Sequence, residues 1–282
     1  MPELPEVETV RLGLLPVLVG HRLATVTQAR PDLRFPLPPR FADRLRGRRV
    51  DALQRRAKYL LIHLEGQLVL LAHLGMSGRF YVVGAGQPLP PAAPHDHVTF
   101  VTDVGVTIRY CDPRRFGFMD LVPTADLLHH PRLTGLGAEP LEDGFDARTL
   151  EQGLAGRMTS IKAALLDQRL VAGLGNIYVC ESLFHAGLSP RRLAGSVHGQ
   201  RAARLVGTIR SVLADAIRSG GSSLRDHRHP SGELGTFQHG FAVYGRAGLA
   251  CPGCTCDPGR TGGIQRIVQG GRSTFFCPRR QR

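Results

Sequence analysis

Apolar positions along this chain change their period twice. Over residues 3–18 they recur on one helical face, with Val7, Val10, Leu12 and Leu14 among them, and Pro2 stands just ahead of the start. Strand-like runs follow: "RLATVTQA", "YLLIHLEGQLVLLAHLG", "RFYVVG" and "HVTFVTDVGVTIRYCD". Glu65-Gly66 and the stretch from Asp103 to Gly105 punctuate two of these runs as hairpin turns. The alternation predicts a sandwich or barrel over residues 20–122, with "GAGQPLPPAAPHD" as a Pro-rich surface loop. Near residue 123 the period becomes helical. "TADLLHH", "DARTLEQGLAG", "SIKAALLDQ", "NIYVCESLFHAG" and "VHGQRAARLVGTIRSVLADAIRSG" predict helices, the last ended by Gly220-Gly221. A polar, glycine-rich stretch, "GGSSLRDHRHPSGELGTFQHG", predicts a loop. No internal repeat is present.

Charge adds a partner class. The 282 residues carry a formal net charge of +13, a surplus that attracts a polyanion such as nucleic acid, although a generally basic surface gives the same sum. At 42% hydrophobic residues the chain can bury a core. It has neither a long apolar run for a membrane span nor a basic-then-apolar leader, so a soluble, intracellular protein is expected. Of 36 basic side chains only Lys58 and Lys162 are lysines. Arginine is always charged, whereas burial tunes lysine, so these two positions are candidates for chemistry. Cys111 and Cys180 stand alone; Cys251, Cys254, Cys256 and Cys277 crowd the tail, a pattern of metal binding rather than disulfides inside a cell.

Several short motifs admit two readings each. In "VAGLGNIY", Gly173 and Gly175 bracket a tight turn and Asn176 is a good N-cap, so the helix start either binds phosphate or simply joins two helices. In "YCDPRRFGF", Arg114, Arg115 and Phe116 form either a wedge that enters DNA or a hairpin tip with Phe116 in the core. Met76 in "HLGMSGRF" is a second wedge or a core filler. "CPGC…FC" has one complete Cys-x-x-Cys knuckle, Cys251 and Cys254. The second offers Cys277, but Arg280 stands where its other cysteine belongs, leaving Cys256 as a doubtful fourth ligand.

The opening "MPELPEVETV" asks for chemistry of its own. Removal of Met1 leaves Pro2 as a secondary amine at the terminus, and terminal amines have a pKa of about 8, far below lysine's. Such an amine attacks an aldehyde-level carbon to give an iminium, and Glu3 beside it can protonate a deoxyribose ring oxygen or relay protons. The plainer reading is a proline and acids suited to a helix N-terminus.

Together, "MPELPEVETV", "RRAKYLL", "HLGMSG", "DPRRFG", "LLDQRLVAGLGNIYVCESLFHAG", "FQHGFAVYGRAG" and "IQRIVQGGRSTFFCP" closely resemble the formamidopyrimidine-DNA glycosylase (Fpg/Nei) family, in order and from residue 2 to the tail. The resemblance implies an α+β multidomain fold: an N-terminal helix and β-sandwich over 1–130, a helix–two-turn–helix DNA-binding domain over 131–238 with a lesion-recognition loop at 220–236, and a zinc-finger-like β-hairpin over 239–282. It implies a bifunctional glycosylase and abasic-site lyase that excises oxidised purines from duplex DNA and cuts the strand by β,δ-elimination. Pro2 would be the Schiff-base nucleophile, Glu3 its acid–base partner, Lys58 the proton donor for β-elimination and Arg272 the phosphate clamp assigned to δ-elimination. Glu6 and Lys162 would support the site. Met76, Arg114 and Phe116 would fill the gap left by an everted nucleotide, and His73, His95, Arg157, Asn176 and Tyr244 would line the DNA groove. One structural zinc per chain, damaged double-stranded DNA as partner, no membrane, a monomer and a cytoplasmic, nucleoid-associated location complete the expectation.

Departures from the pattern concentrate in the tail. Besides Arg280, 22 residues separate Cys254 from Cys277, more than the family pattern has, around "TCDPGRTGG". Cys111 also replaces a small polar residue before "DPRRFG".

Overall fold

The computed structural model describes residues 2–223, 229–255 and 257–282. Contacts divide the chain into two compact units, Met1–Thr134 with Ser219–Thr236, and Gly135–Arg218 with Phe237–Arg282.

The first unit begins with α1 (Leu4–Leu18), which has proline in its first turn and a capping-box return in which Glu6 Oε2 accepts the Glu3 N–H at 2.8 Å. Its buried stripe is Leu4, Val7, Val10, Leu14 and Leu18; Leu12, counted among the apolar positions, faces solvent. A short helix α2 (Phe41–Leu45) and eight strands follow: β1 (Leu23–Gln28), β2 (Val50–Arg56), β3 (Tyr59–Leu64), β4 (Leu68–His73), β5 (Arg79–Val83), β6 (Asp96–Thr102), β7 (Thr107–Cys111) and β8 (Phe118–Pro123). They make two antiparallel sheets, ordered β1-β6-β7-β5 and β2-β3-β4-β8. Leu53, Leu60, Ile62 and Leu70 of one sheet share a single core with Val26, Phe80, Val98, Phe100 and Ile108 of the other, and α1 closes it with Val7, Val10 and Leu14. The result is a β-sandwich, and each such buried side chain contributes about 1.5–3 kcal/mol. Leu64 pairs with Leu68 across the turn at Glu65-Gly66, and Gly66 adopts φ +82°, as a tight hairpin requires.

Residues 219–236 group with this sandwich rather than with the helices that precede them in sequence. The reason is local chemistry: Ser222 donates its N–H and O–H to Glu6 Oε1, and the Val82 N–H donates to the Pro230 carbonyl. Of the expected recognition loop, residues 224–228 lie outside the described residues.

The second unit is helical: α3 (Ala147–Leu154), α4 (Ile161–Leu166), α5 (Asn176–His185) and α6 (Gln200–Arg218), then a short α7 (Pro258–Thr261) and the hairpin β9 (Gln265–Gln269) with β10 (Arg272–Phe276). Asp146 caps α3 through the Thr149 N–H and Ser160 caps α4 through the Ala163 N–H. The buried stripe of α6 runs Ala202, Leu205, Val206, Ile209, Val212, Leu213 and Ala216, the helical period seen in the sequence. Glu181 of α5, almost fully buried, accepts the N–H groups of Ala242, Val243 and Tyr244 and so draws the chain leading to the hairpin onto α5. Among the described residues no helix is long and apolar enough to cross a membrane.

Candidate active site and metal centre

Pro2 and the N-cap Glu3 lead directly into α1, and Glu6 lies in its first turn; all three are buried. Glu6 spends one carboxylate oxygen on the Glu3 N–H and the other on Ser222. Arg11 reaches the Leu53 carbonyl, and Glu8 pairs with Arg55 at 3.0 Å, so α1 runs along β2 with its N-terminus directed toward the turn at Ala57 and Lys58. Ala57 takes φ 53°, and its carbonyl accepts from Arg55. Lys58 is only 7% exposed.

Two turns that the sequence left open meet in the same unit. Gly75, at φ +63°, backs onto the Phe116–Gly117 backbone, where an added Cβ would lie 2.2 Å from the Phe116 carbonyl carbon. Together the turns line a cleft of about 530 Å³ with Leu33, Arg34, His73, Met76, Arg114, Arg115 and Phe116. Phe116 is 41% exposed rather than tucked into the core, and the Arg114 guanidinium lies 4.8 Å from its ring centroid. Met76, half-buried, borders the same space.

A residue without a sequence signal organises this loop. Asp112 is fully buried; one of its carboxylate oxygens accepts from the Ser77 hydroxyl at 2.6 Å, the other from the Gly117 N–H at 2.8 Å and from the Tyr110 hydroxyl at 3.3 Å. Ser77 Oγ in turn accepts the Arg114 N–H. Asp112 thus ties both turns together. Of its side-chain partners, Ser77 lies 35 residues away in sequence.

His73 stacks on Phe118 with ring centroids 5.7 Å apart, and its Nδ1 accepts the Gly75 N–H at 2.9 Å. Burial, with Lys58, Arg34 and Arg132 nearby, lowers its pKa to about 4. It is therefore a neutral imidazole whose proton sits on Nε2. Arg132, missed in the sequence, lies over both Phe35 and Phe118. His95 is exposed just ahead of β6.

The remaining expected site residues belong to the second unit. Gly175, not Asn176, is the N-cap of α5; Asn176 is its first residue and donates Nδ2–H to the Ser273 carbonyl at 2.9 Å. Lys162, with no exposed surface, donates to the Ser273 carbonyl at 3.0 Å and to Thr274 Oγ1 at 2.6 Å. Both side chains hold β10, whose first residue, the exposed Arg272, follows a Gly270-Gly271 tip in left-handed conformation. Tyr244 packs edge-on against Phe275. Arg157 donates to Asp167, whose carboxyl is held down at about 2 chiefly by Arg169.

Cys251, Cys254 and Cys277 bring their sulfurs within 4.8 Å of one another, and Cys254 and Cys277 are 3.8 Å apart. Bonds of about 2.3 Å to a tetrahedral ion put sulfurs about 3.8 Å apart, so these three thiols fit zinc. Burial pushes the Cys251 thiol up to about 12, so a metal must displace its proton. Arg280 is turned away from ligation: its Nη1 donates to the Gly253 carbonyl at 2.8 Å. Cys256, the doubtful fourth ligand, lies outside the described residues.

Comparison with known proteins decides the family. The model for the formamidopyrimidine-DNA glycosylase N-terminal domain matches residues 1–119, and that for the formamidopyrimidine-DNA glycosylase H2TH domain matches residues 136–228. The chain belongs to the formamidopyrimidine-DNA glycosylase family. It is 64% identical to a formamidopyrimidine-DNA glycosylase of Rhodospirillum centenum, with 100% of both chains covered. Among solved structures it is similar to the MutM (Fpg) protein of Thermus thermophilus, at 43% identity and TM-score 0.85 over 99% of this chain and 98% of that one. It is also similar to a Lactococcus lactis Fpg mutant in complex with a Fapy-dG containing DNA, at 33% identity and TM-score 0.88 with both chains fully covered. Membership makes this chain a DNA glycosylase with abasic-site lyase activity, acting in base-excision repair of damaged bases. The expected α+β fold agrees with the structure, and the cluster of Cys251, Cys254 and Cys277 is consistent with the expected C-terminal zinc-finger hairpin.

Proposed function

We propose that this protein removes oxidised purines, 8-oxoguanine and formamidopyrimidines, from duplex DNA and then cleaves the abasic strand by β,δ-elimination through a Schiff base on Pro2. The observation that carries the reading is the buried turn in which Pro2 directly precedes Glu3, with Glu3 held by Glu6 at the head of a core-packed helix. Once Met1 is removed, the Pro2 lone pair attacks C1′, the bond from C1′ to the base breaks, and the base leaves with that electron pair and takes up the proton that the Pro2 nitrogen gives up. Glu3 protonates O4′ as the sugar ring opens, leaving an iminium at C1′. The iminium makes the C2′ proton acidic; its loss expels the 3′ phosphate, with Lys58 as the proton donor. Loss of the C4′ proton then expels the 5′ phosphate, with Arg272 clamping that phosphate.

The lesion must first leave the stack, at a cost of a few kcal/mol. Met76, Arg114 and Phe116 offset part of this cost by occupying the gap. His73, His95, Arg157, Asn176 and Tyr244 belong to the DNA-facing surface in this reading, and Glu6 and Lys162 support the machinery. Zinc held by Cys251, Cys254 and Cys277 would be structural and take no step in the reaction. The complex of a Lactococcus lactis Fpg mutant with Fapy-dG containing DNA supports an oxidised purine as one substrate. The protein works as a monomer on nucleoid DNA.

Borohydride added with an 8-oxoguanine duplex tests the reading. Wild-type protein should give a covalent protein–DNA adduct with the attachment at Pro2 by peptide mass, and Pro2→Gly should give far less. Full-rate excision by protein still carrying Met1 refutes the mechanism.

A further inference from the structure

We propose that Arg280 replaces the cross-link a fourth metal-bound thiolate would make, so that hairpin β9–β10 keeps its structure and its place on α5 when zinc is lost. This concerns the fold of the second unit and stands independently of the reaction proposed above.

In a zinc ribbon the ion ties two knuckles together, and in many small metal domains the binding energy of the ion is folding energy. A guanidinium cannot ligate a cation, so residue 280 cannot play that part. Arg280 nevertheless joins the pieces an ion would join. Its Nη1 donates to the carbonyl of Gly253, inside the first knuckle between Cys251 and Cys254. Its guanidinium lies 4.9 Å from the ring centroid of Phe184, a buried residue of α5. Its backbone continues from Cys277, the sole cysteine of the second knuckle. The fit is steric as well as electrostatic: a Cβ on Gly253 would fall 2.4 Å from Nη1 and 2.7 Å from Cζ.

Neighbouring residues extend the same clamp without a metal. Gln281, buried, accepts the Cys277 N–H on Oε1 and donates Nε2–H to the Leu188 carbonyl. The Arg282 N–H reaches the Gly187 carbonyl. Lys162 and Asn176 hold the Ser273 carbonyl of β10 from α4 and α5. Beneath them Cys180, Phe184, Val243, Cys251, Ile264 and Cys277 form one apolar cluster, with Phe275 and Tyr244 packed against it. A hairpin fixed this way has tethers that survive chelation.

The experiment uses the full chain with and without zinc, metal content being measured in each sample. Amide hydrogen exchange over residues 262–282 is the readout, with the thermal midpoint beside it. Zinc-free wild type should keep hairpin protection close to that of the loaded form. Zinc-free Arg280→Ala should lose about tenfold or more, the worth of one charged hydrogen bond and a ring contact. Arg280→Cys removes the clamp and restores a thiol, so its protection should become strongly zinc-dependent. The proposal is overturned if zinc-free wild type exchanges like an unfolded segment, or if zinc-free Arg280→Ala stays as protected as wild type.

Discussion

Glu6→Gln is the sharpest perturbation the structure offers, because it changes one oxygen to nitrogen at nearly constant shape. The Glu6 carboxylate is 2% exposed and accepts the Glu3 N–H at 2.8 Å, the Ser222 N–H at 2.9 Å and the Ser222 hydroxyl at 3.0 Å. A carboxamide has a single acceptor oxygen. Whichever way it turns, its NH₂ faces one of the two backbone N–H groups. The Ser222 hydroxyl can reverse and accept; a backbone N–H cannot. The variant therefore loses one charge-assisted hydrogen bond and buries an unmatched donor. Those overlapping costs come to about 2–4 kcal/mol.

The loss appears either at the head of α1, beside Pro2, or at the neck of the 222–236 segment. If it falls on α1 and opposes the reactive geometry in full, borohydride trapping on an abasic duplex slows by about 30- to 1,000-fold. If it falls on the neck, trapping on the abasic duplex is largely kept, while single-turnover excision of an intact lesion slows. In both cases the thermal midpoint drops by several degrees. Unchanged melting together with unchanged trapping and excision would show that the Glu6 oxygens are not carrying these bonds, and the reasoning would fail.

Two further outcomes follow from the cleft. The folded-state pKa of His73, about 4, lies below the ordinary value of 6.5, so the unfolded chain binds the extra proton first; stability from this ring is fully present above pH 6.5 and is lost as pH falls toward 4. The effect is at most on the order of 3 kcal/mol, and His73→Asn should flatten that limb in pH-dependent denaturant titrations. Gly117→Ala would place a Cβ 1.8 Å from the Tyr110 hydroxyl oxygen and 2.7 Å from the His73 carbonyl oxygen. It should lower the thermal midpoint and weaken binding to a lesion duplex; ordinary melting and affinity would mean that the two turns do not pack as described.

How much of this was legible in the sequence depends on the range of the interactions. The hairpin at Glu65-Gly66 and the stripe of α6 are local patterns, and both appear where the period placed them. Asp112 is different: its partner Ser77 is 35 residues away, and only the pairing of β5 with β7 makes them neighbours. Asn176 looked like a cap because asparagine favours caps, but its amide is recruited by Ser273, 97 residues on. The 219–236 segment was expected as a loop of the helical domain after Gly220-Gly221, whereas bonds from Ser222 to Glu6 and from Val82 to Pro230, both distant in sequence, tie it to the sandwich. Arg280 registered only as a missing thiol, since nothing in the sequence announced Gly253 and Phe184 as its partners.

The scarcity of lysine takes on physical content once the two are placed. Lys162 has no exposed surface, and its ammonium sits between a carbonyl and a hydroxyl of β10 at 3.0 and 2.6 Å. A compact donor fits there; a planar five-donor fork would need room and further acceptors. Lys58, also buried, acts together with Arg34 and Arg132 to oppose protonation of His73. With Nδ1 already accepting from Gly75, that imidazole keeps its proton on Nε2. In a chain with a net charge of +13 another cation in the cleft would add little attraction, because charge is already abundant. A neutral ring adds something the arginines do not: a hydrogen-bond donor flat against Phe118, kept uncharged around neutral pH by its lowered pKa.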